Sequence, residues 1–462
     1  MTRIDERVST HVYKVKRISK EEMESIAGVC VYDQSPFCNA ACPLKLDVKA
    51  MLKAAAENDF KKAFKIYESI APFPLILSAG CGAPCEEKCR LCELGDGIAI
   101  GDIERAVALS GGAGEKRSIF RVRKKKKAAV FGSGLFALLL AGELEKKGYP
   151  VTAICGEADE EEYLRVAAGF LREDDFYTEL KRLRGKDIAF EFNAEMTREL
   201  FEEKRGGFDV LCASEKAALD IFPGAVRDEG IMLMESEGLL TGGGETVLEA
   251  ALGARKAALT ADRLAQGIDP RSARGEEGPV TSRLYTNPDL ARGLIRIKGC
   301  ESGYTREQAA EEAGRCMQCH CDECLRGCAY LRRFNKHPGL LSREIYNNTQ
   351  IIMGDHPLNR AMNACALCGQ CTVTCPHGFD MAHVCRTARE NMVDTDKMPL
   401  AAHEFALLDM LFSNGEAYLC RKQPGHSHCR YVFFPGCQAA AIAPEAVIAA
   451  YEDLCTRIWL RR

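Results

Sequence analysis

Four thiols, Cys365, Cys368, Cys371 and Cys375, are followed at once by Pro376 in the stretch CALCGQCTVTCPHGF. Thiolates at C-x2-C-x2-C-x3-C-P spacing can hold iron and sulfide. A tight loop turns three of them onto one [4Fe-4S] cubane, and the fourth leaves for a neighbouring cluster. Such a run needs a partner, and CMQCHCDECLRGC at 316–328 supplies one. In the two-cluster arrangement one cubane takes Cys365, Cys368, Cys371 and Cys328, and the other takes Cys375 with three thiols of the earlier run. Cys321, Cys324 and Cys328 keep the register, but the remaining position falls on Gln318, so Cys316 or Cys319 must stand in. Zinc is the alternative occupant, since four thiolates suit it. Two runs in tandem favour iron–sulfur.

Cysteine is abundant beyond these runs: 24 in 462 residues, bunched with long thiol-poor intervals between. A second concentration reads CVYDQSPFCNAACP and then CGAPCEEKCRLC near the N-terminus. The first residues are charged and lack the apolar core of a signal peptide, and no later stretch is long and apolar enough to span a bilayer. A reducing cytoplasm is the expected compartment, and there clustered cysteines are metal ligands more often than disulfides. A net charge of -4, from 62 basic and 66 acidic residues, offers no global field for nucleic acid or an anionic membrane. The run Lys124 to Lys127 reads as a solvated approach to a strand, and Cys155 and Cys212 as small hydrophobes in apolar strands. His320 and His377 stand beside cluster cysteines, where hydrogen bonding to the ligands is expected rather than ligation. No Ser/His/Asp set, activated thiol or paired-carboxylate site emerges.

On the N-terminal cysteine groups and the helical stretch between them, residues 28–108 resemble the small subunit of glutamate synthase and its relatives, among them dihydropyrimidine dehydrogenase and ferredoxin-dependent transhydrogenases. The resemblance implies a helical domain with two [4Fe-4S] clusters. By position, one would be held by Cys30, Cys38 and Cys89, with Asp33 where the family has cysteine and Cys92 as a spare thiol. The other would take Cys42, Cys81, Cys85 and Glu104, the last in IGDIERAV. Residues 316–395 are similar to the iron–sulfur subunits of heterodisulfide reductases and anaerobic glycerol-3-phosphate dehydrogenase, with GFDMAHVCRTARENMV as the helix after the second run. YVFFPGCQAAAIAPEAVIAAYEDL resembles the opening of that family's CCG module. Cys437 would be its first thiol, but the later cysteines do not follow, so an incomplete module is expected; Cys420, Cys429 and Cys455 have no assigned task.

Several elements must position these thiols. VKAMLKAAAENDFKKAFKIYESIA is apolar at three- and four-residue steps and reads as helical scaffold. SGGAGEKRSIFRVRKKKK reads as a linker. AAVFGSGLFALLLAGELEKKGYPVTAIC is strand, glycine turn, helix and strand, a βαβ unit. Gly132, Gly134 and Ala137 occupy the dinucleotide-turn positions, where backbone amides and a helix N-terminus can receive a pyrophosphate. The acid expected at the end of the next strand is replaced by Cys155, with Glu157 two residues on as a substitute for gripping ribose. In the glutamate synthase family this unit binds FAD. GLLTGGGETVLEAALGARKAA looks like the family's second flavin turn, carried by Gly242, Gly243 and Gly244, with Gly243 or Gly244 where the family has aspartate. The family also inserts an NAD(P)H domain between the two turns. The interval here already holds strands of the first sheet, and an independent domain needs roughly 100 residues more.

The expectation is a multidomain α plus α/β chain. A helical 4Fe-4S domain covers 1–115, a reduced Rossmann-like FAD-type domain without an NAD(P)H domain covers 116–270, a helical two-cluster ferredoxin-like domain covers 271–400, and an incomplete CCG-type segment covers 401–462. The function that fits is an electron-transfer subunit of an anaerobic oxidoreductase complex, with up to four [4Fe-4S] clusters and FAD, working with other redox subunits or ferredoxin. A self-sufficient NAD(P)H:acceptor oxidoreductase and a structural metal-binding assembly module are the alternatives.

Overall fold

In a computed structural model the described residues are 19–111, 123–272, 274–275, 277–299, 303–395, 397, 404–413, 422 and 425–459. Most of the glycine-rich linker, Cys420 and the side chain of Cys437 lie outside them. The chain divides into two compact units: Gly28–Gly339 with Val373–Phe379, and Met1–Ala27 with Leu340–Thr372 and Asp380–Arg462.

In the larger unit, the apolar stretch after Asp47 forms two helices, α1 (Val48–Ala56) and α2 (Phe60–Glu68). The break has a local cause: Asn58 is left-handed at φ 59, and the Asp59 carboxylate accepts the Lys62 amide at 3.0 Å to start the second helix. Val48, Met51 and Leu52 of α1 and Phe60, Phe64 and Tyr67 of α2 are buried, with α3 (Ile100–Gly111) packed against both helices.

A six-stranded sheet follows, in the order β3-β2-β1-β4-β6-β5. Its strands are β1 (Ala128–Phe131), β2 (Val151–Ile154), β3 (Ile188–Glu191), β4 (Val210–Ser214), β5 (Leu233–Met234) and β6 (Leu239–Gly242). All pairs are parallel except β5 with β6. The chain leaves β1 in one direction for β2 and β3 and returns on its other side for β4, so a crevice opens at the strands' C-terminal ends between β1 and β4. Every residue of β1 and β4 is buried, as in a parallel sheet covered on both faces. Helix α4 (Leu135–Lys146) connects β1 to β2 and is buried along almost its whole length. The lysine run is absorbed locally: Lys124 pairs with Asp262 and lies 4.3 Å over the Tyr149 ring, and Lys126 donates to the Ala265 carbonyl.

Helices and sheet share one core. Arg105 of α3 holds Asp175 of α5 (Glu173–Arg184) through Nη2 contacts of 2.9 and 3.0 Å, and the Asp175 side chain is only 5% exposed. Arg105→Ala would leave that carboxylate buried without its partner. A loss of roughly 3–5 kcal/mol is expected in denaturant unfolding, with Arg105→Lys restoring part of it.

After helix α6 (Val247–Ala265), opened by a Thr246–Glu249 capping box, the chain returns along the N-terminal helices. The Val280 amide donates to Ala40 at 2.9 Å, the Asp96 amide to Leu294 at 2.8 Å, and α7 (Arg306–Gly314) docks on α1 and α3. Glu312 of α7 is fully buried. Its carboxylate accepts the Ala99 amide at 3.1 Å and the Ile297 amide at 2.9 Å, and pairs with Arg315 at 2.5 Å. Residues 271–339 therefore build the same compact unit as the N-terminal helices.

In the smaller unit, α8 (Met381–Asp394) packs on the helix Asn359–Ala364 through Met381, Val384, Cys385, Ala388 and Met392. Arg389 of α8 donates to the Met362 and Cys365 carbonyls and so fixes the start of the cysteine loop. No described helix is long and apolar enough to cross a membrane.

Candidate metal centres and nucleotide turn

Cys42, Cys81, Cys85 and Glu104 lie near one another: Glu104 is a charged neighbour of all three thiols, Cys42 of Cys81 and Cys85, and Cys81 of Cys85. Glu104 faces inward from α3, and burial pushes its carboxyl up to about 8 even though the Tyr67 hydroxyl donates to it. Burial and Glu104 push Cys81 up to about 12 and raise Cys85 as well. The Leu46 amide reaches the Cys42 sulfur at 3.4 Å.

The other implied N-terminal set is divided. Cys38 and Cys89 line one cavity with Cys316 and Cys319, closed by Phe37, Leu52, Leu91, Ile98, Ile100 and Met317. Burial raises Cys38, and Cys316, Cys319 and Cys89 add to the effect. Cys30 instead faces Cys375 and Asp33, and the thiols of Cys321 and Cys324 face Cys30 and Cys375. Burial first, and these neighbours next, push Cys321 up to about 11 and Cys324 to about 12. Cys316 and Cys319 both line that one cavity. Cys92 is exposed and bonds the Glu86 carbonyl at 3.4 Å, outside the cavity of Cys38 and Cys89.

Cys365, Cys368 and Cys371 lie in the smaller unit, whereas Cys328, at the N-cap of the helix Ala329–Phe334, lies in the larger. Sequence reasoning missed Cys385. From α8 this buried thiol hydrogen-bonds Cys365 and draws its thiol below the usual range. One turn recurs through the sites. Ala83, Gln318 and Leu367, each two residues after a cysteine, are left-handed at φ 46, 50 and 55. Their amides face the sulfurs of Cys81, Cys316 and Cys365. None of these is a residue type that favours that conformation, so nothing in the residue types announced the turn.

Buried thiols that raise one another favour an occupant carrying positive charge, because only then can all of them ionise. Among the described residues no three His, Cys, Asp or Glu side chains converge as one metal ion requires. Zinc at about 2.3 Å from each sulfur needs that convergence. A cubane does not, because it presents a separate iron to each thiolate. The donor sets fit [4Fe-4S] clusters.

The glycine turns meet at the C-terminal edge of the sheet. Gly134, at φ 98, caps the N-terminus of α4, and a Cβ there would meet nothing within 4 Å. Gly132, at φ 84, leaves no such room: a Cβ would sit 2.5 Å from Ser214 Oγ. Ala137 is buried in α4. Glu157 bonds the Cys155 thiol and keeps its Oε2 buried with no partner, an acceptor suited to a ribose hydroxyl. At the second turn a side chain would have no room: Phe136 and Met232 fill the space beside Gly242, the Glu215 carboxylate stands against Gly243, and Gly244 lies on the backbone of Ala250. The adenosine-diphosphate end of a dinucleotide fits these residues.

Thiol sets that precede and follow a nucleotide-type sheet in the chain define an iron–sulfur oxidoreductase component. Comparison with known proteins agrees. Residues 7–112 match the family model described as dihydropyrimidine dehydrogenase domain II, 4Fe-4S cluster, and residues 315–380 match the 4Fe-4S dicluster domain. Among curated proteins, the NADPH-Fe(3+) oxidoreductase subunit beta of Geobacter sulfurreducens is 28% identical over 230 residues, 47% of this chain and 33% of that one. The NADP(+)-dependent formate dehydrogenase subunit beta of Moorella thermoacetica is 28% identical over 29% of this chain and 21% of its own length. The glutamate synthase [NADPH] small chain of Azospirillum brasilense is 29% identical over 29% of each. The chain spans a third or less of the length of these relatives.

Proposed function

We propose that this chain is an electron-transfer flavo-iron–sulfur subunit of a cytoplasmic oxidoreductase complex, relaying electrons through up to four [4Fe-4S] clusters and FAD between a low-potential donor such as ferredoxin and a partner reductase. The observation that carries this is the succession of thiol sets inside one compact unit. Cys85 counts Cys38 of the next set among its neighbours, and Cys319 and Cys321, from two different sets, are separated only by His320.

Bound clusters would supply one-electron steps, and FAD would exchange them for two-electron steps. The chain's own residues do the rest. Cys42, Cys81, Cys85 and Glu104 would hold one cluster, and Cys365, Cys368 and Cys371 would grip another. The apolar walls around Cys38 and Cys89 exclude water, and amides such as those of Ala83 and Gln318 offset charge on the sulfurs. Gly134 and Glu157 would receive the adenosine-diphosphate end of FAD. Phe405, Phe434 and Ile442, 79–85% exposed, give the smaller unit an apolar surface suited to a protein partner.

The test is anaerobic mixing of the oxidised chain with reduced ferredoxin or with NADPH. Ferredoxin is expected to bleach the visible absorbance within the mixing experiment and NADPH to leave it unchanged. Bleaching by NADPH alone would establish the self-sufficient oxidoreductase instead. Gly134→Val adds a separate prediction. A branched side chain at φ 98 is strained and fills the open space over the helix, so flavin content should fall at least tenfold while iron stays at the wild-type level.

A further inference from the structure

The geometry points to an exchange of ligands between the two cysteine regions: Cys316 and Cys319 join Cys38 and Cys89 around one cluster, and Cys30 joins Cys321, Cys324 and Cys375 around the next. This rests on the electron-transfer reading and specifies its metal sites. Two irregularities of the sequence are explained together. The N-terminal loop has Asp33 where its relatives have cysteine, and the later run has Gln318 where its register wants cysteine. Each region lacks one thiol for its own cluster, and each receives thiols from the other.

The contacts that hold this arrangement are specific. Gln318 donates through Nε2 to the Lys49 carbonyl at 3.3 Å and to Cys316 Sγ at 3.4 Å, while Lys49 Nζ donates to the Cys319 carbonyl at 2.9 Å. The Gln318 side chain that breaks the register thus ties the Cys316–Cys319 turn to α1. Arg315, next to Cys316, donates to the Asp96 carbonyl at 2.6 Å, on the loop that follows Cys89 and Cys92. On the other side, Tyr32 stacks on His337 at 4.3 Å, which sets the Cys30 loop against the end of the 316–339 segment. Gly327 lies so close to Thr374 that a Cβ would come within 2.8 Å of its methyl group, which sets Cys324 near Cys375. Asp33 faces Cys30 and is no ligand in this arrangement. Ligands of two clusters, Cys319 and Cys321, then sit on either side of a single residue, giving electrons a short covalent link between the clusters.

The experiment uses the full chain purified anaerobically, with iron, acid-labile sulfide and the integrated EPR signal of the dithionite-reduced protein as readouts. Cys30→Ser and Cys38→Ser should each lower iron by about four per chain, and their combination by about eight, because they serve different clusters. Cys30→Ser with Cys324→Ser should lower it by only about four. Asp33→Ala and Cys92→Ser should keep the wild-type iron. If the Cys30/Cys38 double variant loses no more iron than either single one, or Asp33→Ala loses a cluster, the exchange is wrong while the electron-transfer reading stands. Wild-type chain without iron and sulfide would overturn both. Should a cysteine variant fail to fold, judged by its circular dichroism, Asp33→Ala still decides.

Discussion

Glu312→Ala should strip the chain of about one cluster's iron, roughly four atoms, and destabilise it by roughly 3–5 kcal/mol. Glu312 is fully buried, accepts the amides of Ala99 and Ile297, and neutralises Arg315. Truncation leaves the Arg315 guanidinium buried against backbone carbonyls alone and two amides without acceptors. Ala99 precedes the helix that carries Glu104, and Arg315 precedes Cys316, so the variant loosens the join between the N-terminal helices and the Cys316–Cys319 turn. Glu312→Gln keeps the shape and one acceptor oxygen, and should retain the iron at some cost in stability. Iron analysis alongside thermal unfolding checks both. Full iron in Glu312→Ala would show that the turn is held without α7.

The metal-free protein should lose stability as the pH rises, an effect that Glu104→Gln removes. In the unfolded chain this carboxyl titrates near 4.5; in the fold, burial moves it to about 8. Below about 4.5 both states carry the proton and the fold is at its full stability. Between the two values the unfolded chain releases the proton and the folded chain keeps it, so stability falls by about 1.4 kcal/mol per pH unit. Above about 8 the loss is complete and amounts to several kcal/mol. Iron reverses the direction, because binding takes the ionised carboxyl, so the loaded protein should release metal on acidification. Denaturant unfolding of metal-free wild type and Glu104→Gln at pH 5, 7 and 9 checks this. Parallel curves for the two would place the pH dependence elsewhere.

Much of the architecture was legible from local pattern. The βαβ unit after the lysine run stands where strand, glycine turn and apolar helix placed it, because each boundary is marked by a residue with a backbone reason to be there. The gathering of Cys42, Cys81, Cys85 and Glu104 was likewise visible, since all four sit on neighbouring elements of one helical domain. The grouping of the other thiols was not. Spacing reports the turn a cysteine occupies, and chemically identical thiols from segments hundreds of residues apart carry no mark of which partner they face. Cys30 and Cys38 are eight residues apart yet point to different sets, because the loop between them is pinned on both sides by the returning segment, with Arg283 donating to the Gly28 carbonyl and Val280 to that of Ala40. Cys385 was hidden by its helix, where it reads as one more apolar position. Glycines at the second turn are compatible with close approach of any group, so the residue type alone does not name the group. Here the close approach is to Phe136, Met232 and Glu215 of the same chain.

Metal and sulfide analysis of the anaerobically purified chain decides whether these thiols hold iron–sulfur clusters or zinc. About sixteen iron and as much acid-labile sulfide per chain, with little zinc, is the predicted result. Zinc bound in place of iron, with no acid-labile sulfide, would contradict it.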